Sequence, residues 1–165
     1  MKKILAPVIA LLIAAAFLAG CDKADMKIKK LNHGDGTWTI KSIHYEYYDT
    51  IGHAVVSDST VTEPGEIVFF TTTTLDALFD YHLCVINMKE ANGTTGVYPG
   101  GVYFDNVRVH FEHNATQPNL PAEFEGQLWS VDDSSRRHQV WTHYSLRADG
   151  SLVTKLTMTL KFDKR

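Results

Sequence analysis

From Leu152 to Phe162 the side chains alternate without a break. Leu152, Leu156, Met158, Leu160 and Phe162 fall on one face with Thr154, and Val153, Lys155, Thr157, Thr159 and Lys161 fall on the other. A period of two means an extended chain with one dry and one wet face. Upstream, His138–Leu146 alternates an apolar set, Val140, Tyr144 and Leu146, against Gln139, His143 and Ser145. Between the two runs lies Ala148-Asp149-Gly150, and Asp-Gly supplies the positive φ that a tight hairpin needs. Residues 138–163 therefore read as a β-hairpin.

The rest of the chain follows the same rule. Val107, Val109 and Phe111 alternate against Arg108, His110 and Glu112. Residues 66–70 form a short apolar strand and residues 124–131 another. Residues 37–48 open the domain, with Trp38 and Ile40 on one face and then Ile43, Tyr45 and Tyr47. The parity changes after Ile40, as a bulge near Lys41-Ser42 would cause. Thr73 or Thr74 is placed to cap one helical turn through Leu78, but the β-rich stretch from Tyr81 to Met88 favours a strand. Residues 91–101 read as a glycine-rich loop; without a following Lys-Ser or Lys-Thr it is no phosphate cradle. Asp132-Asp133 falls in a turn. Eight or nine strands, no fixed-period repeat and no long helical periodicity give an all-β antiparallel barrel, with a β-sandwich as the alternative.

The N-terminus addresses the chain. Lys2 and Lys3 precede an uncharged apolar run and then Leu18-Ala19-Gly20-Cys21. This is the layout of a secretory signal peptide, and the apolar run is short for a membrane span. Leu18-Ala19-Gly20-Cys21 closely resembles the cleavage box of bacterial lipoproteins. The resemblance implies removal of residues 1–20, fatty acylation of Cys21 (palmitate being typical) and attachment to a membrane. Residues 21–33 then form a polar tether and residues 34–165 a single domain. Two of the 16 basic residues leave with the leader, so 14 remain against 19 acidic ones, a formal charge of −5. That balance argues against nucleic acid, which wants clustered Lys and Arg.

Gly36-Thr37-Trp38 resembles the Gly-x-Trp opening of lipocalins and related calycins, where the tryptophan closes one end of an eight-stranded barrel. The last strand, Leu156–Phe162, resembles that of lipocalin-like lipoproteins of Bacteroidota, which join a lipobox and a short tether to a domain of this length. The resemblance implies a lipocalin-like barrel in the cell envelope, lipid-anchored, with the outer membrane favoured. "CDKAD" partly resembles the acidic stretch that accompanies surface export in that phylum. Asp49-Thr50-Ile51 and Asp58-Ser59-Thr60 resemble its O-glycosylation sites.

Chemistry is sparse. A metal site needs three or four convergent ligands; among the eight histidines, His44 with Glu46 and His110 with Glu112 merely share strand faces. No metal and no cofactor is expected. No hydrolase signature is present, and the chain reads as non-catalytic. Cys84, in an apolar segment with His82 on its face, reads as a small buried side chain. The aromatics stand out: most must fill the core, and Trp38, Tyr45, Tyr81, Tyr103, Trp129 and Tyr144 are the candidates to line a pocket for a small hydrophobic ligand. The second expectation is a filled barrel that docks on an envelope protein and has no cavity.

Overall fold

The computed structural model describes residues 30–51, 53–75, 80–104, 108–113 and 119–162. Residues 1–29, Cys21 among them, lie outside this description, as do residues 76–79; Thr73 and Thr74, weighed as the cap of a helical turn, belong to a strand. Eight strands follow in order: β1 (Thr37–Tyr48), β2 (Val55–Leu75), β3 (Asp80–Lys89), β4 (Thr95–Phe104), β5 (Arg108–Glu112), β6 (Leu128–Ser134), β7 (His138–Leu146) and β8 (Leu152–Lys161). Each pairs antiparallel with the next, and β8 pairs back onto β1 to close a barrel. The all-β barrel is thus the fold, not a sandwich. The bulge falls where the parity change put it, between Ile40 and Ser42. The β7–β8 turn has Gly150 at φ 83°, and Asp149 accepts from the Ser151 amide and hydroxyl, which holds its carboxyl below the usual range.

One end of the barrel, the base, is where β1 begins. Its interior is filled by Trp38, Ile40, Ile67, Phe69, Trp141 and Leu160, all essentially without solvent contact. The Trp38 indole donates to the Leu31 carbonyl at 2.6 Å and packs on Phe162 at 5.7 Å between ring centroids. Leu31, assigned to the tether by its setting, is buried and belongs to this plug. Gly36 has φ 72°, and a Cβ there would lie 2.3 Å from the Phe69 carbonyl oxygen. Its own carbonyl accepts from the Phe69 amide at 3.0 Å. Only glycine meets both demands, so Gly36-Thr37-Trp38 is a structural unit: the glycine lets the chain pass tight beneath β2 and the tryptophan fills the space above.

Five expectations are corrected. Residues 95–101 are the first part of β4, not a loop. Their glycines mark close approaches: Gly100 faces inward under Leu120, and Gly101 faces outward against the Tyr81 ring. The apolar run 66–70 is the middle of a 21-residue strand. The 124–131 strand begins only at Leu128, because Phe124 to Gln127 forms a turn, while Asp132 and Asp133 lie within β6 rather than in a turn. On β7 the inward face is Gln139, Trp141 and His143 instead of Val140, Tyr144 and Leu146. The volume of Trp141, opposite Met158, sets the register, and the two polar neighbours are satisfied inside. Gln139 accepts from the Trp141 indole and donates to the Ser135 carbonyl, and His143 Nδ1 donates to the Leu128 carbonyl at 2.8 Å. A buried polar group that keeps its hydrogen bonds costs little.

Removing the plug should be expensive. Trp38→Ala is expected to lower unfolding stability by about 3–5 kcal/mol, read from urea unfolding followed by far-UV circular dichroism. A loss under about 1 kcal/mol would mean the base is not closed by this side chain.

Candidate functional site

The upper end differs from the base because of one irregularity. Lys41 on β1 is opposed by both Glu63 and Pro64 on β2, since Ile40 pairs with Gly65 and Ser42 with Thr62. Glu63 takes φ 46°, and its carboxylate meets Lys41 at 3.1 Å. β2 therefore bends here. Below the bend it pairs with β3, the last pair being Gly65 with Met88; above it, among the described residues, it pairs with β1 alone. The wall parts between β2 and β3, and the inner face of β1 and β2 lies open. The inward positions of this region are Tyr45 and Tyr47 on β1 with Ser57, Ser59 and Val61 on β2. Ile43 at its floor is fully buried, whereas Tyr47 is 41% and Val61 46% exposed. The Tyr45 and Tyr47 rings are near parallel, 6.5 Å apart.

The β5–β6 connection crosses this mouth. Residues Asn119–Gln127 fold inward, burying Leu120 and Phe124. Phe124 meets Phe111 edge-on at 5.2 Å and lies against Trp129. Glu125 clamps the strap: one oxygen meets His113 Nδ1 at 2.5 Å and the other accepts from the Leu120 amide at 2.9 Å. From the far wall, the Tyr45 hydroxyl donates to Glu123 at 2.8 Å. Burial, then this carboxylate, pushes the Tyr45 phenol pKa up. A second inward tyrosine, Tyr98, donates to Glu90, and that bond raises its pKa too.

The six candidate aromatics divide evenly. Trp38 and Trp129 are fully buried core, at the base and beneath the strap. Tyr45 lines the mouth. Tyr81, Tyr103 and Tyr144 point outward. Tyr81 packs edge-on to Tyr103 on the outer wall at 6.2 Å and donates to Glu112 at 2.5 Å. Tyr144 is half exposed beside the Glu46–Lys155 pair, whose 2.7 Å bond raises the lysine pKa. The mouth residues that sequence reasoning missed are Tyr47, Val61, Tyr98 and Glu123. The alternation of β1 carried the signal for Tyr47, which shares the face of Tyr45; nothing local marks Glu123, which arrives from 78 residues away.

Other groups sit apart. Among the described residues no three His, Cys, Asp or Glu side chains gather to hold a metal. Trp129 Nε1 and His82 Nδ1 are buried without a hydrogen-bond partner among the described residues. A groove of about 450 Å³ runs on the outer wall past Thr39, Glu66, Asn87 and Val97. Thr50 and Ser59, the hydroxyls of the two tripeptides, are both exposed. No helix among the described residues is long and apolar enough to cross a membrane. The chain matches no protein-family model and no curated protein.

Two outcomes follow. Cys84 is buried, and desolvation pushes its thiol from 9.0 to about 12. It should ignore a disulfide reagent at pH 8 in the folded protein and react at once in denaturant. The sign of the linkage is fixed: above pH 9 the unfolded thiol ionises first, so stability falls as pH rises towards 12. Tyr45→Phe should cost about 0.5–1.5 kcal/mol and speed amide exchange over residues 119–127 more than elsewhere.

Proposed function

We propose that this chain is a lipid-anchored cell-envelope barrel that binds a small hydrophobic ligand at its mouth, without catalysis. One observation carries the reading: inward-facing apolar side chains remain open to solvent. In a barrel packed to the rim, Tyr47 and Val61 would be as buried as Ile43, which faces Val61 across the β1–β2 ladder. Eight strands give an interior that side chains fill or that one small ligand shares with them. Here the base is filled, and the mouth offers apolar surface with a few polar groups at its edge, the Ser57 and Ser59 hydroxyls and the Glu123 carboxylate. That is the composition of a ligand site. Tyr45 and Tyr47, parallel on one wall, suit a flat or aliphatic guest. The resemblance of Gly36-Thr37-Trp38 to the lipocalin opening supports the same reading. The lipobox supports anchoring through acylated Cys21, with the outer membrane as the favoured location.

Native mass spectrometry of the chain purified from its host tests this. The expected result is a stoichiometric excess mass that disappears on denaturation. Val61→Asp should lower its retention at least about tenfold, while Tyr144→Ala on the outer wall should leave it unchanged, since a charge in an apolar site is costly. An apo mass that a panel of lipids and hydrophobic metabolites fails to shift overturns the reading in favour of a filled barrel docking on an envelope protein.

A further inference from the structure

The bend that opens the mouth also frees a strand edge. Every residue from Val55 to Glu63 is exposed, and β1 is the one described strand that pairs with this stretch. Its other edge presents main-chain N–H and C=O groups to solvent. Natural proteins guard such edges with Lys, Pro, bulges or a cover. None of Lys, Arg or Pro occurs in Val55–Thr62, Val-Val-Ser-Asp-Ser-Thr-Val-Thr, and Asp58 is its one charge. Val55, Val56 and Val61 are each about half exposed or more.

We propose that this edge is a self-association surface: two copies of the chain join β2 to β2 antiparallel, about a twofold axis through Ser59. The sequence selects both the partner and the register. In a twofold antiparallel pair facing residues lie on the same side of the sheet, so the axis must pass through a residue. Centred on Ser59, Ser57 faces Val61, Asp58 faces Thr60 and Val56 faces Thr62. The carboxylates are then offset diagonally, and each meets a hydroxyl. Centred on Asp58, the two carboxylates would face each other, which destabilises a strand pair. The pairing is closed, because each copy offers the same edge to the other. It joins the upper sheets β7–β8–β1–β2 of two barrels and sets their open mouths side by side on one continuous surface.

The test uses the purified full chain. Sedimentation equilibrium should give the mass of two chains in the micromolar range. Thr60→Asp, on the outward face of this exposed edge, would set facing carboxylates at positions 58 and 60 of the pair and should return a single-chain mass with an unchanged circular dichroism spectrum. Ser59→Cys should form a 59–59 disulfide under mild oxidation, mapped by peptide mass spectrometry, since facing Cα atoms in such a pair lie about 4.5–5.5 Å apart, within reach of a disulfide. Val56→Cys should not form a 56–56 link. A monomer at all concentrations, a dimer that survives Thr60→Asp, or a 56–56 link without a 59–59 link would each overturn the proposal.

Discussion

The ladder between the first strand and the last holds this molecule in shape. β1 pairs with β2 on one side and with β8 on the other, from Thr39 with Lys161 to Tyr47 with Thr154. Without the second ladder the sheet would have two edges and one exposed apolar face. With it, eight strands enclose a space whose width is set by strand number, and side chains must fill that space. Trp38, Phe69, Trp141 and Phe111 do so, each in ring contact with another aromatic of the interior. The same ladder brings Phe162 beneath Trp38, so the two ends of the domain share one plug.

Against that closure, the bend at Glu63-Pro64 acts as a boundary. Below it every neighbouring pair of strands is bonded and the interior is dry. Above it the wall is incomplete, the inner face is wet, and a strap from the opposite side reaches across to Tyr45. One extra residue in β2 thus separates a part that carries stability from a part whose apolar surface has no folded-state use. An uncovered inner face and an uncovered strand edge are two results of the same bend, and the ligand and dimer proposals take one each.

Much of this was legible in the residues. The bounds of β1, its bulge and the β7–β8 hairpin follow from alternation and from Asp-Gly, which are local. What was not legible depended on distant partners. Gly96, Gly100 and Gly101 look like loop residues until Leu120 and Tyr81 are seen against two of them. Gln139 and His143 look like a wet face until Trp141 between them claims the interior. The division of the six aromatics, three inward and three outward, needed strand parity at β3, β4 and β7, where apolar residues sit on both faces. Glu123 could not be assigned at all, because its role is fixed by a strap that bears no periodic pattern.

The chain enters the barrel at the base, through Leu31 and the Trp38 indole, at the end opposite the mouth. Any pull from upstream of Lys30 therefore arrives at the plug and passes along the length of β1. Its ladders to β2 and β8 run parallel to that pull, so their hydrogen bonds are loaded in shear and must yield together, not unzip singly. A load entering there meets first the strand that is bonded on both sides from Thr39 to Tyr47.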